Sequence, residues 1–192
     1  MIAQPDISWA LPPASVQALS RLIGHPCAVL ARDVEITLHG ADAPCLVIGR
    51  LGMAPQRDGA ACIAFATTWT TSPHGFDWHE MTITDADMPG DFHRSATDLA
   101  EDVVSLELAP AGTPISGIAI AALAGCNHST EPEQDETFVL DFAVELTFAD
   151  GAQWHLITDT PAIRGAFELR RGMFSAPDHG WPDATVTRRT LN

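Results

Sequence analysis

The clearest pattern in the chain is an alternation of apolar and polar residues between positions 138 and 148. A repeat of two residues is typical of a β-strand that packs one face on a core and turns the other toward solvent. We therefore predict a strand here, with polar side chains such as Asp141 and Glu145 on the solvent face. The apolar residues of one parity are Phe138, Leu140, Phe142, Val144, Leu146 and Phe148.

The dipeptide Asp150-Gly151 signals a tight turn after this strand, and the residues beyond it indicate the loop length. A two-residue loop would pair Leu146 with His155 and place an imidazole on the apolar face. A three-residue loop pairs Leu146 with Trp154 and keeps the apolar residues of both strands together. We therefore predict the three-residue loop, with Gly151 in the left-handed bulge conformation. The predicted polar face of the hairpin carries Asp141, Glu145, Thr147, Gln153 and His155.

Other alternating or apolar segments, separated by Gly and Pro, predict a chain made mostly of strands. They favour a mainly β fold of the α+β class, with antiparallel sheets in a sandwich-like or two-half arrangement and a few short peripheral helices. The residues from 175 onward are rich in Pro, and we predict that they are irregular. The predicted strands are residues 27–31, 34–38, 45–51, 61–68, 78–84, 103–108, 115–123 and 165–171, and the predicted helices are residues 11–24 and 95–104.

Length and internal similarity leave two domain organisations open. The chain has 192 residues and no linker rich in Gly, Ser or Pro, so we predict a single compact domain over residues 1–192. The segments VEITL at 34–38 and VELTF at 144–148 resemble each other. That similarity leaves open two related β-rich halves, about 1–95 and 96–192, or a chance likeness between two amphipathic hairpins.

Acidic residues dominate the charge, with 25 Asp and Glu against 10 basic residues and a formal net charge of −15. Nucleic acids and anionic membranes bind basic surfaces, so we expect neither as a partner. The negative charge favours a basic protein partner, whose approach the field of the protein would speed. The alternative is that the acidity only keeps the protein soluble. All ten basic residues are Arg, which excludes the Schiff-base and phosphate-loop chemistry of Lys.

The sequence shows no apolar run long enough for a membrane helix and no secretory signal at its start. We therefore expect a cytoplasmic protein. The lack of Lys and Tyr beside abundant Ala indicates a GC-rich bacterial source. Four widely spaced cysteines without a CxxC pair predict free thiols in a reducing compartment, and their spacing does not predict a zinc site. These cysteines are Cys27, Cys45, Cys62 and Cys126.

The densest group of residue types used in catalysis is HGFDWHE at 74–80. Imidazole and carboxylate groups together can bind a divalent metal or transfer protons. A small metal-dependent hydrolase is therefore the alternative function. The other interpretation is an exposed loop, because the spacing matches neither HExxH nor the common zinc arrangements. The residues that the hydrolase would use are His74, Asp77, His79 and Glu80.

A thiol and an imidazole also occur close together in the segment Cys126-Asn127-His128. Neighbouring residues of an extended chain point in opposite directions, so we expect no contact between these two groups. The segment is better interpreted as a buried cysteine followed by a polar loop.

Two acidic surfaces are candidate partner-binding sites. The first is the loop at 126–137, whose carboxylates form either an interaction segment or a solvated loop. The second is the predicted polar face of the strand at 138–148. The candidate partner-binding residues are Glu131, Glu133, Asp135, Glu136, Asp141 and Glu145.

The segment VELTFADG at 144–151, followed by WHLI at 154–157, resembles the strand, Phe-x-Asp-Gly, strand hairpins of small bacterial immunity proteins. Those proteins neutralise toxins that are delivered between competing bacteria. The resemblance implies a non-enzymatic protein that inhibits a cognate toxin by tight binding, with acidic residues covering a basic or catalytic surface. The chain lacks the motifs GxGxxG, GxxxxGK, GxSxG and HExxH. We therefore predict no catalytic residue, no metal and no cofactor.

Overall fold

The structure is a computed structural model that describes residues 4–39, 43–57, 60–86, 103–158 and 166–191. It is mainly β, with 61% of residues in strands and 9% in helices, which confirms the predicted fold class at that level. No helix in the described part of the chain is long and apolar enough to cross a membrane. The elements are β1 (Ile7–Trp9), α1 (Pro13–Ser20), β2 (Cys27–His39), β3 (Ala43–Pro55), β4 (Cys62–Thr71), β5 (Asp77–Ala86), β6 (Val103–Leu106), β7 (Ile115–Asn127), β8 (Glu136–Phe148), β9 (Gln153–Thr158), β10 (Phe167–Arg171) and β11 (Thr185–Leu191), with short 3₁₀ helices at Pro132–Gln134 and Pro177–His179.

The strands join into one connected sheet that curls on itself. Its main path runs β11-β7-β8-β9-β10-β3-β2-β6, while β4 pairs with β3 and β5, and β1 pairs with β8. The pairings are antiparallel except for β1 with β8. Antiparallel pairing is therefore confirmed, whereas the sandwich-like arrangement is not confirmed.

The sheet curls where two long strands change partners along one edge. Residues 46–48 of β3 pair with β10, and residues 51–53 pair with β4. On β8, residues 138–140 pair with β1, and residues 143–147 pair with β9. A change of neighbour along one strand allows the twisted sheet to bend.

Apolar side chains cover both faces of the β7–β8 pair. The larger cluster includes Ile120 and Val144 and extends to α1, where Leu19 is fully buried. The smaller cluster lies on the opposite face and includes Leu123 and Phe138. The predicted helix at 11–24 is therefore present in shorter form and packs on the core. The helix predicted at 95–104 falls almost wholly outside the described residues, and its last two positions begin β6.

The predicted register of the hairpin is confirmed. Leu146 pairs with Trp154, and Val144 pairs with Leu156. The backbone N–H of Phe148 donates to the carbonyl oxygen of Ala152 at 2.9 Å, which closes the three-residue loop. Gly151 has a φ of 89°, the left-handed conformation that this loop requires.

The prediction that residues 138–148 keep one parity on one face is wrong. Ala121 pairs with Ala143, but the next residue, Ala122, pairs with Asp141, so that Phe142 is an extra residue in β8. Such a bulge moves the side chains beyond it to the other face. Val144 therefore packs in the larger cluster, whereas the other half of β8 contributes its aromatic and leucine side chains to the smaller one.

The prediction that the chain is irregular from residue 175 onward is also wrong in part. Residues Thr185–Leu191 form β11, which pairs with β7 along its whole length. The Thr and Val residues of the segment TVTRRTL are typical of a strand.

The two similar segments lie in hairpins of different register. Ile36 pairs with Leu46, whereas its counterpart Leu146 pairs with Trp154 and not with Leu156, so the two registers differ by two residues. A duplication of two related halves stays a prediction.

Replacing Gly151 with Ala is expected to lower the free energy of unfolding by about 1 kcal/mol, because an L side chain is strained at this positive φ. Gly117→Ala is the matched control, since Gly117 lies in β7 without a positive φ and with nothing within 4 Å of an added Cβ atom. Urea denaturation of the two variants measures the difference. An equal loss of stability in both would contradict the assigned turn conformation.

Candidate functional site

A cleft of about 370 Å³ lies where the tip of the β4–β5 hairpin meets the end of β7 and the turn after the 3₁₀ helix Pro177–His179. Its aromatic walls are Trp69, Phe76 and Trp181. The stacking of Phe76 on Phe138 at 5.1 Å and the edge contact of Trp181 with Phe138 at 5.1 Å join these walls to the core. The aromatic surface is therefore held rigidly. The polar lining residues are Asp77, His79, Asn127 and His179.

Strand pairing brings two of the four residues of the predicted hydrolase cluster into this cleft. Asp77 and His79 are two residues apart on β5, so they share a face, and they pair with Thr71 and Trp69 of β4. The ring of His79 meets the ring of Trp69 edge-on at 5.0 Å. Glu80 follows His79 directly and therefore lies on the other face of β5. The geometry does not bring the four predicted residues together.

A short hydrogen-bond chain orients the carboxylate of the cleft. The indole N–H of Trp69 donates to Oγ1 of Thr71 at 2.9 Å, and that hydroxyl donates to Oδ1 of Asp77 at 2.5 Å. Asp77 is exposed. The cleft thus presents a solvent-accessible anionic group beside aromatic walls.

The imidazole of His79 is suited to hydrogen bonding more than to carrying a charge. Burial lowers its pKa, although the nearby charge of Asp77 opposes that shift. Its Nε2 atom is buried and has no hydrogen-bond partner among the described residues, and the same holds for Nε1 of Trp78. A buried ring nitrogen without a partner at the wall of a cleft would form its hydrogen bond with a polar group of a bound ligand.

His179 connects the cleft to a buried polar network. Its Nε2 atom lies 3.2 Å from Nε2 of His155, whose Nδ1 is 2.9 Å from the carbonyl oxygen of Gly172. A carbonyl only accepts, so Nδ1 of His155 carries the hydrogen, and Nε2 of His155 accepts from His179. Burial lowers the pKa of His155, and burial lowers the pKa of His179 to about 4. Both imidazoles are therefore neutral at neutral pH.

Glu168 supplies the charge of this network. Burial alone would raise its pKa, but hydrogen bonds from Cys45 and Arg170 hold the pKa below its usual value. Arg170 donates from Nε to Oε1 of Glu168 at 2.6 Å, and Nδ1 of His179 lies 3.9 Å from Oε2. Because the Cys45 thiol donates its proton to a carboxylate, it is not an activated nucleophile.

His155 therefore corrects a prediction, since it is 4% exposed and does not face solvent. Phe174 packs edge-on against its ring at 6.0 Å. The segment after β10 covers this face of the hairpin. The alternation of residues within β9 does not predict that burial, because the covering residues lie elsewhere in the chain.

Two predicted partner-binding residues, Asp141 and Glu145, are buried rather than exposed. Glu145 is 1% exposed and accepts from Nε of Arg188 at 2.9 Å and from the backbone N–H of Phe174 at 2.9 Å. Asp141 is 6% exposed and accepts from Nη1 of Arg189 at 2.6 Å. Their interpretation as an accessible acidic face is therefore wrong.

Small residues on β7 explain how the ion pair of Glu145 with Arg188 forms across an intervening strand. Arg188 of β11 pairs with Ala121, and Glu145 of β8 pairs with Ala119. The methyl side chains leave room for the guanidinium to reach over β7. Glu145, which the alternation places on the polar face of a strand, thus pairs with a residue more than forty positions later in the chain. That residue, Arg188, lies in the segment that we predicted to be irregular.

The loop before β8 keeps part of the predicted acidic surface. Glu131 and Glu133 are exposed. Asp135 is partly buried and contacts Nδ1 of His128 at 2.9 Å. Glu136 is 4% exposed and accepts from Oγ of Ser72 at 2.5 Å, so it is unavailable to a partner.

A second cleft, of about 440 Å³, lies beside β2 and β6. Its lining includes Cys27, whose pKa burial raises to about 11, and Glu107, with most other lining residues apolar or Gly, Ser and Thr. A protonated thiol and one carboxylate offer less chemistry than the aromatic cleft.

Comparison with models of known protein families, with curated proteins and with solved structures gave no match to this chain.

Proposed function

We propose that this protein is a non-enzymatic binding protein that captures a basic protein partner, and that the aromatic cleft receives an Arg or Lys side chain of that partner. The observation that carries the proposal is the lining of the cleft: three aromatic walls beside the exposed carboxylate of Asp77, with no basic residue among the lining residues. Aromatic faces and a carboxylate together stabilise a guanidinium or ammonium group.

The charge of the surface supports a basic partner. Each ion pair, such as Glu145 with Arg188, removes one charge of either sign, so pairing leaves the excess of −15 in place. Asp178 and Asp183 are exposed beside the residues that line the cleft. Negative charge around the cleft speeds the approach of a basic protein and disfavours acidic ones.

The hydrolase alternative receives less support from the geometry. Glu80 lies on the face of β5 opposite Asp77 and His79. In the part of the chain that the structure describes, the one group of three or more ligand residues close enough for a metal does not include any of the residues His74 to Glu80. The aromatic cleft therefore suits binding better than metal-dependent hydrolysis.

The hairpin resemblance to immunity proteins makes a toxin domain the first partner to test. In this proposal the protein neutralises the toxin by covering its basic surface with the cleft and with the acidic loop at Glu131 and Glu133. The free thiols support a reducing, cytoplasmic location.

The test is binding of the purified product of the neighbouring gene, measured by calorimetry at two salt concentrations. Trp181→Leu keeps an apolar side chain but removes an aromatic face, and it is expected to weaken binding about tenfold or more. Asp77→Asn is expected to weaken binding and to reduce its salt dependence, because it removes one charge. Glu133→Gln tests the acidic loop in the same assay.

Glu107→Gln, which changes an exposed carboxylate at the other cleft, is the matched control and is expected to bind as tightly as the unchanged protein. Unfolding midpoints of all variants exclude loss of structure as the cause. If the neighbour's product is not retained at low salt, the immunity proposal fails. If it binds and neither cleft variant weakens the complex, the cleft is not the interface.

A further inference from the structure

Three side chains with different metal-ligating groups converge at the end of the β7–β8 pair. The Sγ atom of Cys126 lies 3.8 Å from Nδ1 of His128, and that nitrogen lies 2.9 Å from Oδ2 of Asp135. The three ligand atoms all lie within 4.8 Å of one another. Within the described ranges this is the one group of three such residues that meets so closely.

The expectation that the thiol and the imidazole do not meet is wrong. Cys126 and His128 are two residues apart, so on an extended chain they point to the same side. Their separation of 3.8 Å follows from that spacing. On an extended chain only the adjacent residue, Asn127, points to the opposite side.

The loop between His128 and Asp135 is held in place by its own hydrogen bonds. The backbone N–H of Ser129 donates to Oδ1 of Asp135 at 2.7 Å, which leaves Oδ2 directed at His128. Within the loop, the N–H of Glu131 donates to Oγ of Ser129, and the N–H of Gln134 donates to the carbonyl of Glu131. A carboxylate with one oxygen fixed by a backbone donor is oriented as metal ligands commonly are.

The geometry suits a metal ion better than a nucleophile–base relay. A relay uses one ring nitrogen for the nucleophile and the other for the carboxylate. Here the same atom, Nδ1 of His128, faces both Cys126 and Asp135. Tetrahedral zinc with ordinary bond lengths would separate sulfur from nitrogen by about 3.6 Å and nitrogen from oxygen by about 3.3 Å. The observed sulfur–nitrogen separation of 3.8 Å and nitrogen–oxygen separation of 2.9 Å differ from these values by a few tenths of an ångström.

We propose that Cys126, His128 and Asp135 bind a zinc ion through the thiolate, the Nδ1 atom and a carboxylate oxygen. A thiolate and an imidazole favour zinc over magnesium or calcium, which take oxygen ligands. The carboxylates of Asp135 and Asp6 both act electrostatically on the thiol, so the field at this position attracts a cation.

The site keeps one coordination position for solvent. The side chain of His128 is 75% exposed. A cleft of about 370 Å³, which shares Gly180 and Trp181 with the aromatic cleft, is lined by Cys126, His128 and Asp183. Three protein ligands with an accessible fourth position describe an open zinc site. The proposal concerns the protein alone and does not depend on the proposed partner.

The test is titration of the metal-free protein with Co²⁺, followed by displacement with Zn²⁺. We expect one equivalent of Co²⁺ to produce a thiolate-to-cobalt charge-transfer band, which Zn²⁺ then removes. Cys126→Ser is expected to abolish the band, and Asp135→Asn is expected to weaken zinc binding about tenfold to a hundredfold. Cys27→Ser is the matched control, because Cys27 is also half-buried and its thiol donates to the carbonyl oxygen of His25, and it should leave the band unchanged.

A second readout separates loss of the ligand from loss of the fold. Zinc is expected to raise the unfolding temperature of the unchanged protein and of Cys27→Ser, but not that of Cys126→Ser. The absence of the charge-transfer band in the unchanged protein would overturn the proposal. An identical band in Cys126→Ser would overturn it as well, since another thiol would then be the ligand.

Discussion

Replacing Arg188 with Ala is expected to lower the free energy of unfolding by about 2 kcal/mol, less than for a fully buried partner, because the Arg188 side chain is 36% exposed. Glu145, its partner, is 1% exposed and would stay in the interior with the backbone N–H of Phe174 as its remaining donor. A buried carboxylate without its counterion keeps the cost of desolvation and loses the attraction that offsets it. Urea denaturation at pH 7 measures the change.

Two further variants separate this effect from the loss of a surface ion pair. Arg21→Ala removes the pair with Asp85, which is more than half exposed, and should cost less than about 1 kcal/mol. The double variant Glu145→Met with Arg188→Met removes both charges and should recover most of the stability, because an apolar side chain can replace the buried carboxylate. A loss in Arg188→Ala no larger than in Arg21→Ala would contradict the burial of the Glu145 carboxylate.

Acidification from pH 7 to pH 5 is expected to destabilise the protein, with about 1 to 2 kcal/mol of the loss arising from His179. Burial lowers the pKa of this imidazole to about 4, from an ordinary value of 6.5. Between these two values the unfolded chain binds a proton that the folded protein does not bind. Stability therefore falls as the pH falls through this window, and this contribution is complete near pH 4.

Glu168 acts in the same direction at lower pH. Its folded pKa lies below its usual value, so its contribution to stability is present above the unfolded pKa and is lost as the pH falls toward the folded one. At pH values closer to neutrality, His155 adds to the loss of stability, because burial lowers the pKa of its imidazole. The network behind the cleft is therefore an acid-sensitive part of the described structure.

His179→Gln is the variant that tests this assignment, since Gln fills a similar space and does not titrate. The slope of unfolding free energy against pH should become shallower between pH 6.5 and 4.5 than in the unchanged protein. His74→Gln, at an exposed turn, is the control for the substitution itself, and an equal change of slope in both variants would contradict the assignment to His179. An unchanged slope in His179→Gln would show that the imidazole is not buried as described.

The β8–β9 hairpin could be predicted from the sequence because the residues that specify it are neighbours along the chain. Asp150 and Gly151 specify the turn, and the positions of Trp154 and Leu156 select its register, which the structure confirms. The mainly β class follows in the same way from short alternating segments with Gly and Pro between them. These features depend on residues that are neighbours along the chain.

The site depends on contacts between residues far apart in the chain. The cleft joins Trp69 to His179 and Trp181, which are more than a hundred residues apart from it in the chain. Each residue type has an ordinary structural explanation when it is seen alone. Two residues of the predicted cluster at 74–80, Asp77 and His79, line the cleft, but the sequence does not associate Trp69, Trp181 or His179 with them.

Sequence alone determined the hairpin, its loop and the abundance of strands, because turn chemistry and the two-residue period act over a few residues. Tertiary structure alone decided which polar residues are buried. The bulge at Phe142 exchanges the faces of β8, and β11 brings Arg188 and Arg189 to Glu145 and Asp141. A period of two shows which side chains share a face, but only the neighbouring strands determine what covers that face.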